Sequence, residues 1–408
     1  MAVAVLTACG TAGKSGSDNN SEVTKTEMEN IDEEFLTVTD AQRSLLKLNN
    51  GFALKLFNEV AGLDSKVVSP LSVSGLMCIL ANGADGQTRQ EILSTLGWGE
   101  SSLEDVNAAY ASIMAQAGRL DPSTTVSIAD YIAVNKGYNV RKDFAASMQG
   151  LFKAEVASLD FNDEASVKTI NKWCGRQTAG MIPQVIDHLD PSSVACLMNA
   201  IFFKGSWKDK FDSKETKLER FQGYTRDIKK VQMMHRDDGY LYLANDTYSA
   251  VSLPYGNGTF SMTVLLPNEG KSISEMMEII DADAVSAMRR EMQEYEVDLK
   301  LPKFTTEVEI PLNDAISSLG CPSMFGSSAD FSKMADGDVF VSRMFQKAKI
   351  EVSEEGTKAA AVTVAIMTMT ALAPEPVKVE FHADRPFVYF ISDSSTGAIY
   401  FIGQFTGE

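Results

Sequence analysis

Histidine, the usual general base near neutral pH, is scarce in this chain. His188, His235 and His382 are the only three in 408 residues. None sits in an HExxH spacing, which would put two zinc-ligating imidazoles on one helical face. No GxSxG elbow presents a serine at a strand-to-helix turn. Gly256-Asn257-Gly258-Thr259-Phe260-Ser261 opens like a dinucleotide loop but lacks the third glycine. Ala8 through Gly13-Lys14-Ser15 matches a relaxed phosphate-binding pattern, yet Gly16-Ser17-Asp18-Asn19-Asn20 comes next and starts no helix to face a phosphate. Besides Cys9, the cysteines Cys78, Cys174, Cys196 and Cys321 share no CxxC spacing, which argues against a zinc cluster. Cys78 and Cys196 lie in apolar runs and read as small core residues. No metal, cofactor or hydrolase site is expected from these patterns.

A different chemistry is prepared near the C-terminus. Glu354 to Glu375 reads EEGTKAAAVTVAIMTMTALAPE, with no charge between Lys358 and Glu375. Val362-Thr363-Val364-Ala365-Ile366 is rich in β-branched residues and fit to pair as a strand. Yet the segment opens on Glu-Glu-Gly-Thr and closes on Pro374 and Pro376, the punctuation of a loop. A long, uncharged, strand-prone loop is an aggregation hazard that soluble proteins usually avoid. It reads either as a strand held in reserve or as a buried strand with a proline-rich exit.

The elements around it define an α+β domain expected over residues 39–408. Thr39-Asp40-Ala41-Gln42 is a capping box, leading into Leu45, Leu48, Phe52 and Leu56 at helical spacing. Ser69-Pro70 offers an N-cap with proline at the first helical position. The helix it starts is apolar nearly all round, so it should be buried until it ends near Gly83. Helices are expected over 102–116, 144–152, 165–178 and 312–319. Strands are expected over 126–134, 195–203, 297–304 and 339–352, with more within 387–405. Gly256-Asn257-Gly258 marks a hairpin inside 251–266.

Residues 1–38 differ in character. Leu6-Thr7-Ala8-Cys9 resembles a bacterial lipobox, in which Cys9 would be acylated and become the mature N-terminus. The apolar lead from Met1 to Ala8 is short and has no basic start, so it reads as a truncated signal. Gly10 to Glu34 reads as a solvated tether. The expectation is a bacterial cell-envelope lipoprotein, or an extracellular or periplasmic protein, touching membrane only through a lipid on Cys9. No apolar run approaches the roughly 18–20 residues of a membrane span. The formal charge of −18 argues against nucleic-acid partners.

Several motifs, in order from about residue 40 onward, make the chain similar to the serpin family. Val68-Ser69-Pro70-Leu71-Ser72-Val73-Ser74 resembles its buried second helix. Asn199-Ala200-Ile201-Phe202-Phe203-Lys204-Gly205-Ser206-Trp207 resembles its third central-sheet strand. Leu253-Pro254-Tyr255, Leu301-Pro302-Lys303-Phe304 and Asp384-Arg385-Pro386-Phe387 come after it in sequence. Glu354-Glu355-Gly356-Thr357-Lys358-Ala359-Ala360-Ala361 resembles the hinge of inhibitory members, with Thr363 beyond it. The resemblance implies a single domain with a large central mixed β-sheet, two further sheets, about eight or nine helices and an exposed reactive loop. It implies a suicide substrate: a protease cuts the loop, forms an acyl-enzyme, and is dragged along as the loop enters the sheet.

The residues agree with that role. Thr357, Ala359, Ala361, Thr363, Ala365 and Met367 share one parity and carry no charge that insertion would bury. Gly356 to Thr370 spans about 46 Å at ~3.3 Å per residue. Family spacing from Gly356 places the cut between Thr370 and Ala371, flanked by Met367, Thr368, Met369 and Leu372, with cleavage after Met369 or Met367 as alternatives. No Arg or Lys lies between Lys358 and Lys378, so a trypsin-like acidic pocket finds nothing to hold. Small Thr370 favours an elastase-like target. Chymotrypsin-like, subtilisin-like and cysteine proteases are the alternatives, as is a non-inhibitory binding protein.

By the same resemblance, Ser69, Ser72 and Asn199 fall in a cluster that controls sheet opening, with Gln346 where many members have histidine. Trp207, Lys303 and Glu354 fall where the loop first enters, and a Lys303–Glu354 ion pair is expected. Lys358 departs from the acidic residue frequent at its position. Residues 102–116, where some members bind glycosaminoglycans, carry Glu104 and Asp105 and no basic residue, so no heparin site is evident. A monomer is expected.

Overall fold

A computed structural model describes residues 38–99, 101–117, 119–224, 227–357 and 377–407. The expected sites at Cys9, Lys358, Ala359, Ala360, Ala361, Thr363, Met367, Thr368, Met369, Thr370, Ala371 and Leu372 lie outside the described residues.

The central sheet has six strands, in the spatial order Phe304–Pro311, Val341–Ser353, Gly356–Thr357, Ala195–Ser206, Thr124–Asn135 and Glu155–Leu159. It is mixed: Val341–Ser353 runs parallel to Ala195–Ser206, while Thr124–Asn135 runs antiparallel to it. Ala195–Ser206 is apolar through Phe203 except for Asn199 and buried through Phe203, as a strand covered on both faces must be. A second sheet has nine strands. Its path runs Lys66–Val68, Ile399–Phe405, Phe387–Asp393, Phe260–Pro267, Tyr248–Pro254, Ile228–Ala244, Gln293–Pro302 and Lys378–His382, with Lys217–Gln222 also on Ile228–Ala244. A two-stranded ribbon joins Asn139–Val140 to Ala335–Asp336. Nine α-helices occur among the described residues.

The helix Pro70–Gly83 lies under the central sheet with every residue but Asn82 buried, as its all-round apolar sequence requires. Its N-cap is Ser69, whose hydroxyl accepts from the Ser72 amide at 3.4 Å. Gly75 is needed for packing: a Cβ there would lie 1.9 Å from the Tyr110 hydroxyl of helix Leu103–Ala117. The capping box at Thr39 closes reciprocally with Gln42, opening helix Asp40–Val60.

Two expectations are corrected. The strand over 297–304 is two strands. Gln293–Pro302 belongs to the nine-stranded sheet and Phe304–Pro311 to the central one, with the chain changing sheets at Lys303. Helices Gly86–Thr95, Ile273–Met277 and Ala282–Glu291 were not expected. They are short and bury few residues, so their periodicity is weak.

Candidate functional site

Strands Ala195–Ser206 and Val341–Ser353 pair directly from Ala195 to Phe202, then part company. Gly356–Thr357 occupies the space between their ends. It pairs antiparallel with Val352 and Ser353 on one side and with Gly205 and Ser206 on the other. The chain gets there by a tight turn at Glu354-Glu355. Gly356 has φ +123°, and a Cβ on it would lie 2.3 Å from the Gly205 carbonyl oxygen. Only glycine suits that backbone at that distance. Thr357 is 1 % exposed, and its hydroxyl lies 3.0 Å from the Tyr255 hydroxyl.

Trp207 holds the turn. Its indole donates to the Ser353 carbonyl at 2.8 Å, its amide donates to the Glu355 carbonyl at 3.1 Å, and its ring stacks on Tyr255 with centroids 4.4 Å apart. Glu354 is buried. One carboxylate oxygen takes the Lys303 ammonium at 2.9 Å and the other accepts from the Thr216 hydroxyl at 2.9 Å. Burial alone would raise the Glu354 carboxyl, but the Lys303 hydrogen bond leads the contacts that together hold it below the usual range. Glu355 pairs with Lys210 at 2.7 Å. Lys303 and Glu354 are thus the ion pair named from sequence. Lys303→Ala would leave the Glu354 carboxylate with neutral donors only. Because Lys303 is half exposed, a loss of about 1 kcal/mol is expected. That corresponds to roughly fivefold more frequent local opening of the turn, read as faster amide exchange at Trp207.

Below the hinge, Ser69, Ser72, Asn199 and Gln346 come together. The Gln346 side chain bonds Ser69 in both directions, accepting from its amide at 2.7 Å and donating to its carbonyl at 3.1 Å. It also donates to the Asn199 side-chain oxygen at 2.6 Å. Asn199 donates in turn to the Ser72 hydroxyl and, at 2.7 Å, to Asp130. Gln346, Asn199 and Asp130 are register partners on three adjacent strands. A new strand entering between Val341–Ser353 and Ala195–Ser206 would double their separation of about 4.8 Å and break the Gln346–Asn199 bond.

Asp130 was missed from sequence. It is the only charged residue in Thr124–Asn135, and a charge inside an apolar strand was the available signal. It is 4 % exposed, and burial pushes its carboxyl up to about 7 against the lowering effect of the Asn199 hydrogen bond.

A six-stranded mixed sheet with Gly356–Thr357 seated between two of its strands, a nine-stranded second sheet and nine described helices define an α+β fold of one recognisable class. The sequence model of the serpin family, described as serpin (serine protease inhibitor), matches residues 47–407, and the chain belongs to that family. It is 34% identical over 381 residues to the leukocyte elastase inhibitor of Homo sapiens, covering 89% of this chain and 99% of that one. Iripin-2 of Ixodes ricinus is 32% identical over 372 residues, covering 89% and 93%. Among solved structures, the thermophilic serpin tengpin in its native state superposes with a TM-score of 0.82 at 27% identity, covering 91% of this chain and 96% of that one. Thyroxine-binding globulin in complex with thyroxine reaches 0.78 at 25% identity, covering 88% and 98%.

Proposed function

We propose that this chain inhibits an elastase-like serine protease as a suicide substrate. The observation that carries the reading is Gly356–Thr357, paired on both sides in the gap of the central sheet. The start of the segment is seated as a strand, and its continuation is uncharged from Ala359 to Pro374. The protease serine attacks the Thr370 carbonyl, an ester to Thr370 forms, and the amine of Ala371 leaves with the proton passed on by the protease's own base. The freed segment then continues the strand begun at Gly356. Each added strand hydrogen bond contributes about 0.5–1.5 kcal/mol net, so a dozen give on the order of 10 kcal/mol. That drive makes the step irreversible and distorts the acyl-enzyme. The chain performs no turnover of its own in this reading and acts as a monomer.

Small, uncharged Thr370 suits a shallow specificity pocket, and a relative at 34% identity bears the name leukocyte elastase inhibitor. Titration with neutrophil or pancreatic elastase on a denaturing gel tests the reading. A covalent complex with a released peptide beginning at Ala371 supports it. Clean cleavage without a complex overturns inhibition of elastase, and cleavage with no rise in thermal stability points instead to a non-inhibitory binding protein. A peptide beginning at Thr368 or Thr370 moves the cut to Met367 or Met369. Tethering through Cys9 to a bacterial envelope belongs to the same proposal, and processing insensitive to globomycin with a soluble cytoplasmic pool would remove it.

A further inference from the structure

Two of the three histidines, from strands distant in sequence, converge on one carboxylate oxygen. His235 Nε2 lies 3.0 Å from Asp298 Oδ1, and His382 Nε2 lies 3.2 Å from the same atom. Asp237 brings a further carboxylate, so that ligand atoms of His235, Asp237 and Asp298 all lie within 4.8 Å of one another. The register explains the convergence. His235 and His382 are both partners of Lys300, on either side of strand Gln293–Pro302, and Asp237 is the partner of Asp298. Alternation puts these residues on one face, opposite buried Val297, Leu299, Leu301 and Phe381.

We propose that His235, His382 and Asp298, completed by Asp237, bind one zinc-class divalent cation that fastens strand Lys378–His382 to the sheet. Tetrahedral zinc with ligands at ~2.0 Å separates neighbouring ligand atoms by about 3.3 Å. The two nitrogen–oxygen separations are close to that edge, while His382 stands outside the group whose ligand atoms lie within 4.8 Å of one another, so its imidazole must swing toward His235 and Asp237 on binding. Two imidazoles and carboxylates are a donor set suited to zinc and its neighbours rather than to calcium. On binding, each imidazole presents its Nε2 lone pair and keeps its proton on Nδ1.

The remaining charges on this face fit a cation. Glu296, Glu380, Lys300 and Lys378 share it by register. Lys300 is drawn to Glu219 at 2.9 Å. Lys378 lies 3.2 Å from Asp237 and would have to release it, which is a further adjustment the site requires. The consequence is mechanical. Among the described residues, Lys378–His382 is an edge strand of five residues paired only with Gln293–Pro302, and it is the first described strand after residue 357. A metal bond from His382 to His235 ties it across its neighbour to Ile228–Ala244. This site is independent of which protease is trapped.

The full chain, stripped with chelator and dialysed, is titrated with Zn2+ by calorimetry and with Co2+ by visible absorption. One-to-one binding in the micromolar range or tighter is expected, with an intense tetrahedral Co2+ spectrum. Zinc at about 100 times Kd should raise the unfolding temperature by roughly 2–4 °C. His235→Ala and His382→Ala should each weaken binding at least tenfold. His382→Gln, which can keep the hydrogen bond to Asp298, should do the same while leaving metal-free stability unchanged. His188→Ala, at the exposed third histidine, should bind as the parent does. No binding, or one-to-one binding that survives the His235→Ala/His382→Ala double change, overturns the proposal. Neither result bears on the elastase titration.

Discussion

Thr357→Arg is expected to turn this chain from an inhibitor into a plain substrate. Thr357 is already inside the sheet, 1 % exposed, with strand partners on both sides and its hydroxyl against Tyr255. A guanidinium there would have to lie among Val352, Gly205 and the Tyr255 ring, and burying it without a fitted partner costs several kcal/mol. In the uncut chain residue 357 can give up its seat and carry the arginine to solvent, whereas full insertion must bury it; if half or more of that cost is met on the way in, the barrier rises by about 2–4 kcal/mol. Insertion then slows roughly 30- to 1000-fold. Hydrolysis of the acyl-enzyme overtakes it, and the protease leaves with the loop cut. The measurement is the partition between covalent complex and cleaved product at a fixed ratio of elastase to inhibitor. Cleaved product should dominate for Thr357→Arg and complex for Thr357→Val, which stays small and uncharged. Equal complex formation by both variants would mean that trapping the protease does not require residue 357 to be held in the sheet.

Asp130→Asn is expected to stabilise the fold at and above neutral pH and to slow sheet opening. A carboxyl with a pKa of about 7 in the folded chain, against 3.8 in the reference state, holds its proton more tightly when folded. Folding therefore takes up a proton between those two values. Its contribution to stability is fully present below about pH 4 and is lost as pH rises through 7. About three pKa units correspond to a loss on the order of 4 kcal/mol. Asparagine carries no such charge and can still accept from Asn199. At pH 8 the variant should unfold roughly 5 °C higher than the parent at the same scan rate, and the gap should close by pH 4.5. Several carboxylates elsewhere, Asp160 and Asp190 among them, are lowered and lose stability as pH falls. Only the difference between the two proteins isolates Asp130. A pH-independent difference would show that Asp130 is not the titrating group.

The two variants act on one process from opposite ends. Asp130 sits on the row of hydrogen bonds, through Asn199 to Gln346, that would have to break in the proposed insertion. Thr357 is at the head of the segment that, in the proposed insertion, would fill the gap. Gln346 uses both ends of its amide to bridge Ser69 and Asn199. The bridge therefore does not depend on an imidazole, and the titrating partner in this cluster is Asp130.

Local chemistry was legible in the chain itself. The Thr39 and Ser69 caps, the all-apolar helix after Pro70, the hairpin at Gly256 and the uncharged segment after Lys358 each rest on neighbouring residues. Nearest-neighbour sterics and hydrophobic periodicity are enough to specify such features. The absence of Arg and Lys from 359–377 and the small alternating residues from Thr357 onward likewise define what the loop could present and bury. The break at Lys303 was not legible. Nothing in Leu301-Pro302-Lys303-Phe304 announces that successive strands join different sheets.

The clusters depended on register across the folded chain. Gln346 meets Asn199 across 147 residues, His235 meets Asp298 across 63, and His382 meets Asp298 across 84. One residue of slip in any of these strands would turn the side chains to the opposite face and dissolve both the hydrogen-bonded row and the paired histidines. The sequence alone determined that a strand-prone segment lies beyond a glycine pivot. Tertiary structure decided that Gly356–Thr357 is already seated between two strands, because pairing on both sides satisfies backbone groups that a solvent-facing turn would leave to water.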